Sequence, residues 1–436
     1  MQLIKIWPEL RSEEKLSILN QLGQLNLSIL YQQKELLKEK PLLEDAIEPF
    51  TNFAYAGSLE DQERGKRLVR EGKMGCLLLA GGQGTRLKFS QPKGCYPVSV
   101  IKEKSLFQLL AEKVKSAGEQ AGHPLNLAIM TSPENDQVTK EYFLEHAFFG
   151  LSSSQISFFT QSTLPLLDAE GHLFLESRSK IAEGPSGNGN ALHDFFNSGL
   201  WGKWAQSGIE YVNMVLVDNP LADPFDFELL GYHVRSDSDI TLKCTEKIMP
   251  EEKVGVVVKK DGRCQIIEYT ELTEEKKTAR QPNGSLTFCC ANLSLFCFSM
   301  NFVKKTALSP VPLPLHKAWK AAKFLSQDGT SVLSEAPKAW KFERYIFDVL
   351  NYTDKVGALL YPRGRVFAPL KNAENSDTLE TVRQALQQRE KEILESITTL
   401  KAPKTPFELS AEFYYPTPQL LGKWKGRIPE SPYIEP

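Results

Sequence analysis

The sequence lacks the cysteine and histidine patterns that disulfide frameworks and structural zinc sites require. Its seven cysteines form an odd set without a C-x-x-C pair, and its six histidines include no cluster at metal-ligand spacing. We therefore expect free thiols in a reducing compartment, and we predict a cytoplasmic protein. The cysteines are Cys76, Cys95, Cys244, Cys264, Cys289, Cys290 and Cys297.

Long apolar runs and an excess of one charge are also absent. No segment reaches the roughly 18 consecutive apolar residues of a membrane-spanning helix. The first residues, MQLIKIWPELRSEEKLSIL, contain no unbroken hydrophobic core of a secretion signal. Because 52 Lys and Arg nearly balance 54 Asp and Glu, we expect neither nucleic acid nor a membrane surface as a partner. Any anion binding has to come from a local cluster of cations.

Length and composition indicate one large catalytic domain with smaller appendages. A chain of 436 residues with 41% hydrophobic content can bury a large core. Residues 1–70 carry apolar side chains at helical spacing, which predicts a helical N-terminal region. Residues 71–371 are predicted to form the catalytic domain. Residues 372–436, which begin with a charged helical stretch and end in a proline-rich tail, are predicted to form a small C-terminal domain.

Apolar runs that alternate with amphipathic stretches predict an α/β fold. CLLLA, NLAIMTS, ISFFTQ and YVNMVLVDN are typical of buried strands, and SLFQLLAEKVKSAG is typical of a helix between two of them. Further strands are expected at ITLKCTEK, VGVVVKKDG and CQIIEYTE. This alternation indicates a mixed, mostly parallel sheet flanked by helices. Such sheets bind ligands at the carboxyl ends of their strands.

The first of these strands ends in a glycine-rich loop with two cations nearby. The segment CLLLAGGQGTRLKFSQPKG covers residues 76–94. Its glycines expose backbone N–H groups that a nucleotide phosphate can approach. Leu87 occupies the third glycine position of a dinucleotide-binding turn, and the Walker A lysine is missing, so both of those sites are disfavoured. Arg86 and Lys93 in one short loop suit a polyphosphate.

An ordered series of motifs extends this pattern through the chain. After L-A-G-G-Q-G-T-R-L and P-K-G come FFTQSTLP, GPSGNGN, LVDN, VGVVVKKDG, IIEYTE, CAN, RYIFDV and PLKNAE. In this order the motifs resemble those of the eukaryotic-type UDP-sugar pyrophosphorylases, the family of UDP-N-acetylglucosamine pyrophosphorylase and UTP–glucose-1-phosphate uridylyltransferase. The resemblance implies a Rossmann-like, glycosyltransferase-A-like fold of the nucleotide-diphospho-sugar transferases. It also implies a uridylyltransferase that joins UTP and a sugar 1-phosphate, with UDP-N-acetylglucosamine as the expected product.

That reaction needs positioning and cations more than covalent chemistry, because two anions must meet and pyrophosphate must leave. By resemblance, Arg86 reaches the leaving pyrophosphate, Lys93 the α-phosphate and Lys371 the sugar phosphate. Asp218 closes the apolar run YVNMVLVD and is expected to hold Mg²⁺ between phosphates. Capping of the following turn is the alternative role for this aspartate.

The resemblance also assigns residues to the base and to the sugar. The nucleotide-binding residues are Leu79, Ala80, Gly81, Gly82, Gln161 and Gly187, and Gln161 is expected to read the uracil edge with its carboxamide. The sugar-binding residues are Asn188, Gly255, Glu268, Asn292, Tyr345 and Phe347, and the two aromatic rings are expected to bound an acetamide.

Three departures from the family pattern leave the sugar open. Lys88 stands where the family usually continues with glycine, NLSLF follows without the usual polar continuation after CAN, and Tyr345 replaces a frequent phenylalanine. A UTP–glucose-1-phosphate uridylyltransferase, or an enzyme with broad sugar range, is therefore the close alternative. A nucleotide-sugar sensor without turnover is disfavoured, because a sensor has no need to neutralise a leaving pyrophosphate. The sequence does not indicate an oligomeric state.

Overall fold

The computed structural model describes residues 2–39, 46–326 and 328–436. The helices are α1 (Gln2–Ile6), α2 (Ser12–Gln24), α3 (Leu27–Lys38), α4 (Leu59–Arg70), α5 (Leu106–Ala121), α6 (Asp136–Glu145), α7 (Ala191–Asn197), α8 (Leu200–Gln206), α9 (Phe227–Arg235), α10 (Glu274–Thr278), α11 (Met300–Ala307), α12 (Arg363–Val366), α13 (Leu379–Thr398) and α14 (Pro418–Trp424). The strands are β1 (Glu48–Pro49), β2 (Phe53–Tyr55), β3 (Met74–Leu79), β4 (Leu127–Thr131), β5 (Ile156–Thr160), β6 (Thr163–Pro165), β7 (Leu175–Ser177), β8 (Lys180–Ile181), β9 (Glu183–Pro185), β10 (Tyr211–Leu216), β11 (Ile240–Glu246), β12 (Val256–Lys260), β13 (Arg263–Ile267), β14 (Cys290–Ser299), β15 (His316–Lys320), β16 (Lys323–Leu325), β17 (Ser331–Leu333), β18 (Ala339–Glu343), β19 (Val356–Tyr361), β20 (Glu408–Leu409) and β21 (Tyr433–Ile434).

The chain folds into two compact units. The first unit contains the described residues of Met1–Leu42, Gln161–Ala191 and Pro310–Val349. The second contains the described residues of Leu43–Thr160, Leu192–Ser309 and Leu350–Pro436. The domain boundaries expected near residues 70 and 371 stay predictions.

The second unit is built on a large mixed sheet. Its main path runs β2-β19-β11-β14-β10-β3-β4-β5. Strands β10, β3, β4 and β5 are mutually parallel, and so are β11, β19 and β2, whereas β14 runs antiparallel to both β10 and β11. Strand β3 is buried along its whole length, as its apolar run predicts. The expected mixed, mostly parallel α/β sheet is confirmed.

Strand β14 carries an irregularity that the sequence did not indicate. Its pairing with β11 shifts between Lys243 and Cys244, which lie opposite Leu295 and Asn292 respectively. The intervening Ser294 has a left-handed backbone with φ of 56°. The result is a β-bulge, a feature that often bends a strand beside a functional site.

Two short strands interrupt the region that we expected to be helical up to residue 70. Strand β2 pairs parallel with β19, and β1 pairs antiparallel with β12. Strands of two or three residues are too short to show a period of two in the sequence. Helices α1 to α4 account for most of the rest of this described region.

The first unit joins N-terminal helices to a set of two-stranded sheets. The sheets pair β15 with β18, β16 with β17, β6 with β9, and β7 with β8. Helix α3 contributes Gln33, whose buried amide donates to the Pro165 carbonyl at 3.0 Å. Helix α2 contributes Ser17, whose hydroxyl donates to the Ser179 carbonyl at 2.9 Å. These bonds attach the helices to the segment between β6 and β9.

The cysteines agree with the expected absence of disulfides. All seven are buried free thiols. Burial raises the pKa of the Cys264 thiol to about 12, which keeps this sulfur protonated and unreactive. Among the described helices, none has the length and apolar character needed to span a bilayer.

Candidate active site

In the second unit, β3 places the glycine loop at the carboxyl edge of the sheet. After Leu79, the Ala80 N–H donates to the Met130 carbonyl at 2.8 Å. Asn135 supports the exit from the strand, because its Nδ2 donates to the Ala80 carbonyl at 3.0 Å. The half-exposed Gly81 follows. The loop therefore begins from a fixed point on the sheet.

Lys93 folds back over this loop. Its N–H donates to the Gly82 carbonyl at 3.3 Å, and a Cβ added to Gly82 would lie 3.9 Å from the Lys93 Cε. Gly82 itself is exposed. The lysine side chain thus runs beside bare backbone, where a phosphate could meet both N–H groups and an ammonium.

Lys93, at the end of the loop after β3, and Asp218, just after β10, face each other at the carboxyl edge of the sheet. Strands β3 and β10 are parallel with Leu79 beside Leu216, so their carboxyl ends coincide. The Lys93 Nζ lies 3.6 Å from the Asp218 Oδ2, and the two side chains are only 11% and 16% exposed. The Asp218 Oδ1 is buried and has no hydrogen-bond partner among the described residues. A buried carboxylate oxygen in this state is suited to a cation.

Asn219 connects this strand end to the segment before Lys371. Its Nδ2 donates to the Val366 carbonyl at 2.8 Å, and its Oδ1 accepts from the Ala368 N–H at 3.0 Å. The Leu370 N–H donates to the Asp218 carbonyl at 2.7 Å. Asn219 is 1% exposed. The sequence analysis did not predict these bonds of Asn219. An asparagine directly after a candidate metal-binding carboxylate does indicate a residue that can hold the strand end in place.

The remaining predicted cations are more exposed. Lys371 is 38% exposed, and its Nζ lies 3.9 Å from the Asp377 carboxylate. Arg86 has an exposed side chain, and its carbonyl accepts from the Ala373 N–H at 3.3 Å. That bond joins the glycine loop to the PLKNAE segment. The structure therefore brings the backbones around Arg86, Asp218 and Lys371 together, while their roles stay predictions.

Two residues of the loop, Lys88 and Gly94, are affected by the backbone conformation or the packing at their positions. Lys88 ends the short 3₁₀ helix Thr85–Leu87 with φ of 55°, a left-handed conformation that glycine adopts at lower cost. This is one of the three positions at which the sequence departs from the family pattern. Gly94 packs against Phe107, since an added Cβ would lie 2.2 Å from the ring. The glycine of P-K-G is thus required by packing.

The three sugar-binding candidates of the second unit lie together. Strands β12 and β13 pair so that Gly255 is next to Glu268, and a Cβ on Gly255 would lie 3.0 Å from the Glu268 Oε1. The Asn292 N–H donates to the Gly255 carbonyl at 2.9 Å. The Asn292 amide also bonds to Ser294 in the bulge, accepting from its N–H at 3.0 Å and donating to its hydroxyl at 3.3 Å. The bulge thereby fixes the orientation of this amide.

In the first unit, the GPSGNGN loop is bonded to the segment that carries the predicted aromatic pair. The Gly189 N–H donates to the Arg344 carbonyl at 2.8 Å. Asn188 accepts from the Ile346 N–H through its Oδ1 at 3.0 Å. Gly187 has φ of 85°, and a Cβ there would lie 2.4 Å from the Arg344 carbonyl oxygen. Only glycine fits this position.

The aromatic pair and the predicted uracil-reading residue complete the candidates in the first unit. The Tyr345 and Phe347 rings are 5.1 Å apart and inclined at 36°. Gln161 follows directly after β5 and is buried. The contacts of Gln161 with a base, and of the rings with a sugar, stay predictions.

A buried charged network lies against the loop that follows Asp218. The Lys113 Nζ donates to the carbonyls of Pro220 and Ala222 at 2.7 and 3.1 Å. Burial lowers the pKa of Lys113 to about 8. Burial, together with nearby Glu408, raises the pKa of Glu390 to about 8. With these pKa values, Lys113 and Glu390 change their protonation near pH 8.

A mostly parallel sheet that ends in a glycine loop, with a lysine and an aspartate meeting at its carboxyl edge, is the arrangement of an α/β protein suited to binding phosphates at its strand ends. The comparison with known families shows which class of enzyme this is, a nucleotidyltransferase. The chain belongs to the UTP–glucose-1-phosphate uridylyltransferase family, whose sequence profile matches residues 29–417. The family predicted from the motif series is thus confirmed.

Individual relatives and a solved structure agree with this placement. UDP-N-acetylhexosamine pyrophosphorylase-like protein 1 of Xenopus tropicalis is 34% identical over 410 residues, covering 88% of this chain and 80% of the relative. UDP-N-acetylglucosamine diphosphorylase 2 of Arabidopsis thaliana is 33% identical over 407 residues, covering 87% and 80%. The uridine diphosphate N-acetylglucosamine pyrophosphorylase of Trypanosoma brucei, solved with an inhibitor, superposes with a TM-score of 0.79 over 97% of this chain and 93% of its own. At 24% identity, this structure supports the fold alone.

Proposed function

We propose that the protein transfers a uridylyl group from UTP to N-acetylglucosamine 1-phosphate, forming UDP-N-acetylglucosamine and pyrophosphate. The observation that carries the proposal is the Lys93–Asp218 pair at the carboxyl ends of β3 and β10, beside the exposed backbone of Gly82. The names of relatives such as the Arabidopsis diphosphorylase support the choice of sugar.

The chemistry follows from the charges of the reactants. A phosphate oxygen of the sugar 1-phosphate attacks the α-phosphorus of UTP, the bond to the β-phosphate oxygen breaks, and pyrophosphate leaves with the electron pair. Negative charge has to be neutralised on both sides of that phosphorus. In our proposal Lys93 stabilises the α-phosphate, Arg86 grips the leaving pyrophosphate, and Lys371 holds the sugar phosphate.

Asp218 is the residue proposed to hold Mg²⁺. The fit rests on its buried Oδ1, which has no partner in the described part of the chain. Mg²⁺ in phosphoryl-transfer sites takes one or two carboxylates together with phosphate oxygens and water, so a single aspartate is sufficient. When bound, the ion would offset phosphate charge and orient the triphosphate. Lys93, 3.6 Å from the same carboxylate, would keep its ammonium in place beside the phosphates.

Recognition of base and sugar is proposed for the other predicted residues. Uridine would contact the loop from Leu79 to Gly82, and the uracil edge would be read by Gln161, with Gly187 allowing close backbone approach. The sugar hydroxyls would bond to Glu268 and neighbouring polar groups. Those groups are Asn188, Gly255 and Asn292, and the acetamide would lie against Tyr345 and Phe347.

A direct assay tests the function. Purified protein is incubated with UTP, Mg²⁺ and one of a panel of sugar 1-phosphates, and pyrophosphate release is measured. We expect the highest kcat/KM with N-acetylglucosamine 1-phosphate and measurable turnover with glucose 1-phosphate. An acetamide adds only a small apolar contact, and differences of that size are worth about 1–3 kcal/mol. If no sugar 1-phosphate in the panel supports pyrophosphate release, the proposed function is refuted. A preference for glucose 1-phosphate above about tenfold, or about 1.4 kcal/mol, would overturn only the choice of sugar.

A further inference from the structure

A histidine and a carboxylate stand beside the aromatic pair of the first unit. His316 begins strand β15 and lies opposite Glu343 of β18, two residues before Tyr345. Its Nε2 is 2.8 Å from the Asp348 Oδ2. Its ring lies on the Tyr345 ring, with centroids 4.3 Å apart and planes inclined at 31°. The second ring of the pair, Phe347, is 6.4 Å from the imidazole in an edge-on orientation.

The backbone explains why these side chains meet. The Asp348 N–H donates to the Tyr345 carbonyl at 3.1 Å, which forms the first turn around the 3₁₀ helix Ile346–Tyr352. Side chains three residues apart eclipse one another in such a turn. Because the Asp348 carboxylate lies beside the Tyr345 ring, its bond to the His316 imidazole holds that imidazole against Tyr345.

The neighbouring charges identify Asp348 as the group that orients the imidazole. Glu343, directly across the strand pair, is engaged with Lys341 at 3.0 Å. The Asp348 side chain is 12% exposed and that of His316 is 33% exposed. A carboxylate bond to one ring nitrogen sets the tautomer and the orientation of a histidine. Tyr345 consequently contacts both other rings, with centroids 4.3 Å from His316 and 5.1 Å from Phe347, in a cluster of three rings.

We propose that His316 and Asp348 are positioning residues that set the preference of the enzyme for an acetamido group over a hydroxyl group on the sugar. This inference rests on the proposed function, in which Tyr345 and Phe347 bound the acetamide. A planar acetamide gains contact from an aromatic wall that is already fixed, because ordering a mobile side chain on binding reduces affinity. A hydroxyl gains little from the same wall. Neither His316 nor Asp348 needs to touch the sugar for this effect.

Two substitutions of His316 separate its two contacts. His316→Phe keeps a ring against Tyr345 but cannot bond to Asp348, and His316→Gln keeps a donor for Asp348 but has no ring. For each, kcat/KM is measured with N-acetylglucosamine 1-phosphate and with glucose 1-phosphate, together with the KM for UTP and the Tm. The matched control is His172→Gln, which removes another imidazole of the same unit whose Nδ1 lies 3.7 Å from the Asp168 carboxylate.

We expect both His316 variants to lower the ratio of the two kcat/KM values by roughly tenfold, with the KM for UTP unchanged, while His172→Gln keeps the wild-type ratio. A purely structural role would lower kcat/KM for both sugars by the same factor, so an unchanged ratio in both variants overturns the inference. If the ratio falls in His316→Gln but not in His316→Phe, the bond to Asp348 is not needed, and the role proposed for Asp348 is overturned. Wild-type protein that turns over no sugar 1-phosphate overturns the proposed function, and the inference with it, so the two failures are distinguishable.

Discussion

The Lys93 ammonium and the Asp218 carboxylate lie 3.6 Å apart at the carboxyl edge of the sheet, and both are largely withdrawn from solvent. Their charges compensate each other in the protein without substrate. A triphosphate that enters beside them brings negative charge to Lys93 and needs a cation at Asp218. When substrate and metal bind, Lys93 can therefore leave Asp218 and contact the triphosphate, while Asp218 contacts the metal ion.

Loss of the Lys93 ammonium should reduce turnover strongly. Lys93→Ala is expected to lower kcat by about 10²–10³, the usual effect of removing one donor that stabilises charge in a transition state. Steady-state pyrophosphate release measures this. The control is Lys88→Ala in the same loop, because Lys88 is 79% exposed and pairs only loosely with Glu374 at 3.4 Å. Equal activity in the two variants would remove Lys93 from the mechanism.

Neutralising the carboxylate should change the response to metal. Asp218→Asn keeps the shape of the side chain and removes the charge that we propose Mg²⁺ requires. We expect half-maximal activity to need at least about tenfold more Mg²⁺, since one lost contact with a cation is worth more than about 1.4 kcal/mol. Turnover is measured across a Mg²⁺ titration at constant UTP. A titration curve superimposable on that of the wild type would make the carboxylate structural.

The sequence predicted those features that depend on residues near each other in the chain. The exit of β3 into glycines, and an aspartate at the end of β10, could be inferred because a buried parallel strand is a continuous apolar run. The bulge at Ser294 could not, because it arises from the pairing of β14 with β11. The bonds of Asn219 to Val366 and Ala368 join distant segments, and no local pattern reports them.

The conformation of Gly187 should make its replacement costly. Gly187→Ala places a Cβ 2.4 Å from the Arg344 carbonyl oxygen and leaves an L-residue at φ of 85° and ψ of 178°, a region used almost only by glycine. Gly199→Ala is the control, since Gly199 has φ of 81° but no atom within 4 Å of an added Cβ among the described residues. We expect about 1 kcal/mol of destabilisation for the control and at least about 3 kcal/mol for Gly187→Ala. The free energy of unfolding of both variants is measured by calorimetry. Equal destabilisation of Gly187→Ala and Gly199→Ala would contradict the steric argument.

Glu390 should make stability depend on pH. Its folded-state pKa of about 8 is raised above the ordinary value of 4.5 by burial and by Glu408. The folded protein therefore binds more protons than the unfolded chain between about pH 4.5 and 8, so the stabilising contribution of the neutral acid is complete below the lower value and is lost as pH rises through the upper one. The slope from this group approaches about 1.4 kcal/mol per pH unit within that window. Glu390→Gln should flatten the fall in Tm between pH 5 and 8, and an unchanged profile would show that Glu390 is ionised in the folded protein.

Asn219 should matter for catalysis without touching substrate, because it connects the strand end at Asp218 to the segment that precedes Lys371. Asn219→Asp can still accept from the Ala368 N–H but cannot donate to the Val366 carbonyl, and a buried group left without its partner costs about 1–3 kcal/mol. We expect kcat to fall at least tenfold, and we expect half-maximal activity to need more Mg²⁺, the same direction as predicted for Asp218→Asn.

The matched control for this prediction lies on β10, the strand that leads to Asn219. Asn213 is also buried, and its Nδ2 donates to the carbonyls of Asp223 and Pro224 at 2.8 and 3.0 Å. Asn213→Asp therefore removes comparable hydrogen bonds and should lower the Tm by a similar amount, yet its bonds lie past the loop that follows Asp218 and do not hold the segment before Lys371. Comparing kcat, the Mg²⁺ titration and the Tm of the two variants separates positioning from general stability. Equal losses of kcat at equal Tm would show that Asn219 contributes only to the fold, whereas a loss confined to Asn219→Asp would show that the alignment of Asp218 with Lys371 limits turnover.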